Sequence, residues 1–360
     1  MMNNELQKFG FVMHPLDARR DISRKYPIAR YLPESLLELA LRRTGPMRVS
    51  HITGVKSNAG PEAEGWFVGC PLTPKLLSEL PLEEVYRKIV DTVKVAEDQG
   101  ARIVGLGAHT SVVGDGGVTI AERSNIAVTT GNSFTVATGV EGAIRAAEMM
   151  GIDPSAASAA VVGAAGSIGW TCAQALAKTC SSITLVDLSQ KRIDELAEQL
   201  SGKTEVHSTT DIESGIRDAD IVVTVSSAVD EIIKPGFIKR GAVVCDIARP
   251  RDVAMSVSKE RDDVLVIDGG VVEVPGEDLD FRFDFGFPAR TAYACMSETM
   301  MLALEGRYEC FTLGKSVSFE QVEETNRLAK KHGFKLAGFR SFEKAVTQEH
   351  IDRIRRNAGR

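Results

Sequence analysis

Seven residues, Gly163-Ala164-Ala165-Gly166-Ser167-Ile168-Gly169, stand between the apolar run Ala159–Val162 and a helical pattern. Glycine at such a strand-to-helix turn tolerates positive φ and lets backbone approach a pyrophosphate, while the free N–H groups at the helix start offer an anion site. The spacing G-x-x-G-x-x-G is a variant of the commoner G-x-G-x-x-G. A second apolar run ends in Val186-Asp187, 18 residues after Gly169, where a carboxylate accepts hydrogen bonds from ribose hydroxyls. A nicotinamide dinucleotide, NAD(P)H, is the expected ligand; a glycine-rich turn that serves only helix–sheet packing is the competing reading. Asp187 would repel a 2′-phosphate and so favours NADH, whereas Lys191 and Arg192 could pair with that phosphate if Asp187 turned away. Gly269 and Gly270 follow the last apolar strand and would let backbone approach the nicotinamide.

A dinucleotide implies redox chemistry without naming the substrate, so the nucleophiles matter. Of six cysteines, Cys70, Cys172, Cys180 and Cys245 fall in packing contexts, where a free thiol behaves as a small hydrophobe. Cys295 differs, because Pro288-Ala-Arg290-Thr-Ala-Tyr-Ala-Cys295-Met-Ser-Glu298 sets it in the first turns of a helix near a cation. Both influences lower a thiol pKa and produce the nucleophilic thiolate; a core cysteine is the alternative. Glu298, one turn on, is a candidate orienting group or an exposed helix carboxylate. Donors for an oxyanion are concentrated in Thr130–Ser133, with Asn132 and Ser133, and in His109-Thr110-Ser111. His109 is a candidate to protonate a leaving thiolate, or else a loop histidine bonded to local backbone. No metal site is expected.

With these residues in view, the chain resembles the long-chain acyl-acyl-carrier-protein reductases of cyanobacteria. The likeness is carried by Gly10-Phe-Val-Met with Ala18-Arg-Arg-Asp-Ile-Ser-Arg24, by Thr130-Gly-Asn-Ser-Phe-Thr135, and by Val161 to Gly169. It continues through Asp268-Gly-Gly-Val-Val-Glu273, Arg290-x-x-Tyr-Ala-Cys295, Leu304-Glu-Gly306 and His332-Gly-Phe334. The resemblance implies that a fatty acyl thioester is reduced to an aldehyde, that the cysteine matching Cys295 is acylated, and that NADPH is the reductant. It also implies an acyl carrier protein as partner. Asp187, the acidic segment Glu277–Phe287 and a longer C-terminus depart from the family pattern. A remoter resemblance, through Thr130-Gly-Asn132 and the order of elements, is to shikimate dehydrogenases and glutamyl-tRNA reductases. A dehydrogenase of a small hydroxy or amino acid and a non-catalytic nucleotide-binding regulator are therefore the alternative functions.

These residues need elements to position them. From Ala159 onward, short apolar strands alternate with amphipathic helices, which predicts a Rossmann-type doubly wound parallel sheet in an α/β chain. Asp153-Pro154 suggests a boundary. The expected division is an N-terminal α/β catalytic domain over 1–151, a nucleotide domain over 152–287 inserted into it, and a helical segment over 288–360 that carries Cys295 and packs on the first. Phe281, Phe283, Phe285 and Phe287 alternate with polar residues, as either one face of a strand or a wall of an acyl pocket. The stretch Pro154–Ala177 lacks charge, yet its three glycines argue for the nucleotide turn rather than a membrane helix.

Composition bounds the rest. The 360 residues carry 43 Lys+Arg against 49 Asp+Glu, which argues against a general nucleic-acid binder. Six scattered cysteines without a CxxC pair, and an N-terminus without an apolar signal core, favour a cytoplasmic setting. Residues 305–360 hold twelve Lys/Arg against eight acids, and Arg19, Arg20, Arg24 and Lys25 cluster early, so an acidic carrier could be steered locally.

Overall fold

A computed structural model describes every residue except 1–5, 24–26, 229, 285 and 343. Arg24, Lys25 and Phe285 thus lie outside the described residues. The chain divides into two compact units, residues 1–131, 273–315 and 325–335 in the first and residues 132–272, 316–324 and 336–360 in the second.

The first unit begins with β1 (Gln7–Met13), α1 (Ala18–Ser23), α2 (Glu34–Arg43), β2 (Met47–Lys56) and β3 (Glu62–Gly69). It continues with α3 (Pro74–Glu79), α4 (Leu82–Asp98), β4 (Ile103–Leu106), α5 (Val118–Glu122) and β5 (Ala127–Thr129). Its sheet runs β2-β3-β1-β4-β5, with β2 antiparallel on the edge and the other four strands parallel. Parallel strands bury both faces. Val85, Ile89, Val93 and Ala96 form the inner stripe of α4 and pack against Val12, Val104 and their neighbours. Because the strands are parallel, the segments after β1, β4 and β5 all emerge at one edge.

The second unit opens with α6 (Asn132–Met149), then β6 (Ser158–Val162), α7 (Ser167–Leu176), β7 (Ser182–Val186), α8 (Gln190–Leu200) and β8 (Glu205–Thr209). After α9 (Ile212–Ile216) come β9 (Ile221–Thr224), β10 (Val243–Asp246), α10 (Val257–Glu260) and β11 (Leu265–Asp268). All pairings are parallel in the order β11-β10-β9-β6-β7-β8. This is a Rossmann-type doubly wound sheet, with its topological switch beside β6. The uncharged stretch after Pro154 is a 3-10 turn, β6, the glycine loop and α7. Among the described residues, no helix is long and apolar enough to cross a membrane.

Two features depart from the expected layout. The unit boundary falls at Gly131 rather than near residue 151, because the buried face of α6 packs on α7, β9 and β10. Small residues permit that approach: a Cβ on Gly139 would sit 2.4 Å from Ile247. Phe281, Phe283 and Phe287 form no strand; Phe281 and Phe283 pack with ring centroids 6.0 Å from Phe67, and Phe287 lies 4.6 Å from Tyr293.

Three helices complete the chain: α11 (Ala294–Leu304), α12 (Phe319–His332) and α13 (Gln348–Ala358), the last assigned to the second unit. Within the first unit, the C-terminal end of α11 is clamped. His332 Nδ1 lies 2.7 Å from Ser57 Oγ and Nε2 lies 2.7 Å from Glu305 Oε1, with His332 fully buried. The connectivity is that of a charge relay, but Ser57 is buried and its Oγ also accepts the Ala59 N–H, so it joins chain segments rather than facing a substrate. His332→Asn should lower the unfolding free energy in urea by about 2 kcal/mol, the scale for stranding buried polar partners; an unchanged midpoint would refute the clamp. Burial holds this imidazole below its ordinary 6.5 despite Glu305. The folded state then binds fewer protons than the unfolded one, so the resulting penalty is absent above 6.5 and grows as pH falls below it. The acid limb of stability should be shallower in the variant.

Candidate functional site

In the second unit the glycine loop joins β6 to α7. Gly163 has φ +84, and an added Cβ would meet the Val225 carbonyl at 2.9 Å; on Gly169 it would lie 2.0 Å from the Gly163 carbonyl. Neither position accepts a side chain, so the turn is closed by backbone alone. Gly166 caps α7 without a side-chain acceptor, leaving the amides of Ser167, Ile168 and Gly169 at the helix start for an anion. Ala164 and Ala165 keep the loop free of bulk, and the Asp187 carboxylate accepts the Ala165 N–H at 2.9 Å and the Leu188 N–H at 2.8 Å. Asp187 thereby stands at the mouth of the loop. Lys191 and Arg192 are exposed on the first turn of α8, with Arg192 3.6 Å from Glu195. Gly269 and Gly270 follow β11 at the same carboxyl edge, and Gly270 has φ +71. The cradle fits a pyrophosphate and the carboxylate fits a ribose diol.

In the first unit, ten of the eleven residues of α11 are buried, and the other, Cys295, is half-buried at its second position. Tyr293 caps the helix without a side-chain acceptor, and Cys295 stands in the first turn, at the positive end of the helix dipole. Burial pushes the Cys70 and Cys180 thiols up to about 11, Cys172 to about 12, and Cys245 upward as well. Those four are poor nucleophiles at neutral pH. Gly131, with φ +73, lies directly against Cys295: an added Cβ would fall 2.3 Å from its Cα.

Glu298 is fully buried, one turn after Cys295, and accepts Thr129 Oγ1–H at 2.6 Å and Thr312 Oγ1–H at 3.1 Å. Thr129 Oγ1 in turn accepts the Gly131 N–H at 3.4 Å, and Thr130 donates its hydroxyl to the Thr312 carbonyl at 2.5 Å. The exposed-carboxylate reading of Glu298 is thus replaced by a buried hub that ties α11 to the end of β5. Gly131 lay within the Thr130–Ser133 segment read as oxyanion donors, but its contact with Cys295 and the roles of Thr129 and Thr312 escaped the sequence reading.

Next to β5, the segment after β4 forms a 3-10 turn, Ala108–Ser111, entered through Ala108 at φ +47. The hydroxyls of Thr110 and Ser111 donate to the carbonyls of Gly107 and Ala108, at 2.7 and 2.6 Å, and so are occupied locally. Buried His109 donates its backbone N–H to His14 Nε2 at 3.1 Å, and His14 Nδ1 lies 3.1 Å from the Pro15 carbonyl. Burial, opposed by that carbonyl, holds His14 at about 4, and burial also lowers His109. Both rings are therefore neutral at neutral pH. Arg290 adopts φ +60, and its guanidinium donates to Glu273 at 3.3 Å on the surface. Asn132 and Ser133 are buried at the start of α6 and belong to the second unit.

A family model described as shikimate/quinate 5-dehydrogenase matches residues 145–269, within the nucleotide unit. The aminotransferase PigE of a Serratia species is 30% identical over 97% of this chain, which spans 42% of that relative's length. A long-chain acyl-[acyl-carrier-protein] reductase of Synechococcus elongatus is 28% identical over 91% of this chain and 98% of its own. Among solved structures, shikimate dehydrogenase of Aquifex aeolicus is similar at 13% identity and a TM-score of 0.42, covering 91% of this chain and 100% of that one. By sequence the chain is related to oxidoreductases.

Gly131→Ala must strain a left-handed backbone and displace Cys295. Peptide mapping after brief alkylation should show labelling of Cys295 changed several-fold, with exposed Cys310 labelled as in the parent. Equal labelling of both thiols in parent and variant would contradict the contact.

Proposed function

We propose that this chain reduces an acyl thioester to an aldehyde through an acyl-Cys295 intermediate, with NADH as reductant. The observation that carries the reading is the setting of Cys295: a half-buried thiol on the first turn of an otherwise buried helix, while four other cysteines are buried and raised. The Cys295 thiolate attacks the acyl carbon, and the oxyanion is held by first-turn amides of α11, since the hydroxyls of Thr110, Ser111 and Thr130 are spent on carbonyls. Collapse breaks the carbon–sulfur bond to the carrier and leaves the acyl group on Cys295. His109, neutral through burial, suits removal of the thiol proton better than standing protonation of a leaving group. Arg290 remains a candidate for stabilising the thiolate if it exchanges Glu273 for Cys295.

Bound reduced nicotinamide supplies the hydride that converts the thioester into the aldehyde. Residues 163–169 hold its pyrophosphate at the start of α7, with Gly269 and Gly270 beside the nicotinamide. Asp187, anchored by two backbone amides, takes ribose hydroxyls and opposes a 2′-phosphate. The resemblance to acyl-carrier-protein reductases implies NADPH, so Asp187 makes the cofactor preference a point of difference. The carrier is an acyl carrier protein or coenzyme A, and the enzyme works in the cytoplasm. An aldehyde is also the class of compound that transamination consumes, which fits the relative named as an aminotransferase, more than half of whose length lies outside the match.

Incubation with acyl-CoA in the absence of cofactor should add one acyl mass to the intact protein, and Cys295→Ala should abolish the adduct. Initial rates should favour NADH over NADPH by about tenfold or more, and Asp187→Ser should narrow that ratio. No adduct with any thioester would overturn the acyl-enzyme, and a strong NADPH preference in the parent would overturn the role of Asp187.

A further inference from the structure

Within the second unit the glycine loop has a support on each side. Toward β7, the Val186 carbonyl accepts the amides of Gly163 and Ala164 at 2.9 and 3.1 Å, and Asp187 accepts that of Ala165. Toward β9 the support is close packing: an added Cβ on Gly163 would lie 2.9 Å from the Val225 carbonyl oxygen and 3.0 Å from Ser226 Cα and N. Asp187 braces the first side directly. The second side depends on whatever fixes Val225 and Ser226.

A fully buried carboxylate that the reaction does not use supplies that restraint. Asp252 Oδ2 accepts the Ser226 N–H at 2.9 Å and the Thr224 hydroxyl, and Oδ1 accepts the Ser226 hydroxyl at 2.5 Å. Ser226 Oγ in turn accepts the Ala228 N–H at 3.0 Å. The backbone of Asp252 is fixed as well, because its carbonyl accepts the amides of Ile232 and Ile233 at 2.8 and 2.9 Å. Its loop is closed from the end of β10, where buried Asp246 accepts the amides of Ala248 and Val253, each at 3.1 Å. For packing alone an apolar residue would serve without the cost of burying a charge. What the carboxylate adds is an acceptor on which three donors from the end of β9 converge.

We propose that Asp252 is a positioning residue for the dinucleotide: through Ser226 it holds the β9 side of the loop 163–169 and fixes Val225–Ala228 as a wall of the cofactor cleft. That segment leaves the carboxyl end of β9 beside β6, where the strand order reverses and open α/β sheets bind their ligands. Val225, Ser226 and Ala228 are half-buried there and Ser227 is exposed. The loop is then held between two aspartates, Asp187 bonded to it and Asp252 acting at one remove. The inference deepens the cofactor part of the reading above; it rests on residues 163–169 being the dinucleotide loop and does not depend on Cys295.

The test titrates the full chain with NADH by calorimetry, with no thioester present. Asp252→Asn keeps the size of the side chain and one oxygen for Thr224 and the Ser226 N–H, but places an amide NH2 where the Ser226 hydroxyl is accepted. Its Kd for NADH should rise by about tenfold, the scale of one hydrogen bond, with the circular dichroism of the parent. Ser226→Ala removes the same link from the other end and should raise Kd similarly. The double variant should then resemble the weaker-binding single rather than the product of the two, since neighbours sharing one link are not additive. A carboxylate with a merely structural role would lower the urea midpoint and leave the folded protein's Kd at the parent value; that result overturns the proposal, as do two effects that multiply. If Asp252→Asn fails to fold, Ser226→Ala decides, and an unchanged Kd in it overturns the proposal. A parent that binds neither NADH nor NADPH overturns the dinucleotide reading and this inference together, whereas a binding parent with unaffected variants overturns the role of Asp252 alone.

Discussion

The backbone of Gly131 rests against the Cα of Cys295, and that contact requires a left-handed residue without a side chain at the end of β5. It couples two segments more than 160 positions apart, the carboxyl edge of a parallel sheet and the first turn of α11. Any larger residue would push the thiol away from the edge, and any other backbone conformation would turn Thr129 and Thr130 off their partners. The remaining chemistry of the first unit is arranged around this point.

What holds the contact is a buried carboxylate. Burying a charge without partners is costly, so Glu298 is tolerated because hydroxyls from two other segments donate to it. The same bonds make it a local organiser: Thr129 serves both Glu298 and the Gly131 amide, and the Thr312 carbonyl accepts from Thr130. Helix α11 is apolar on nearly every side and is enclosed accordingly, which leaves its half-buried cysteine at the open end. A similar economy governs the neighbouring turn, where His14 fixes His109 through a backbone amide and stays neutral in doing so. In the nucleotide unit the constraints are simpler, being glycines that a Cβ would block and an aspartate that braces the loop they form.

That difference explains what the sequence revealed. The glycine loop, Asp187, strands β6, β7, β9, β10 and β11 and helix α8 over 190–200 were legible because local rules dictate them: buried parallel strands read as apolar runs, and the turn needs glycine at set spacing; the polar edge strand β8 gave no such run. Cys295 was legible as a thiol at a helix start. The Glu298 hub was not, because its partners, Thr129 at the end of β5 and Thr312 in a later loop, are ordinary residues whose meaning arises only when distant segments meet. His14 escaped notice for the same reason. The allegiance of α6 was hidden because the change of composition at Asp153-Pro154 marks the end of a helix, whereas packing area decides which unit owns it. The phenylalanine alternation allowed either a strand face or a pocket wall, and among the described residues backbone pairing there stops at the Thr53–Asp280 bridge.

The central claim is that one acyl group, held on Cys295, receives one hydride. It is tested most directly by a single turnover: acylate the protein, remove free thioester, then add NADH deuterated on the transferred face and analyse the product by mass spectrometry. The account predicts aldehyde in an amount equal to the acyl-enzyme, with deuterium on the carbonyl carbon and the free thiol of Cys295 restored. Release of undeuterated carboxylic acid, or an acyl-enzyme unchanged by the reduced cofactor, would contradict it.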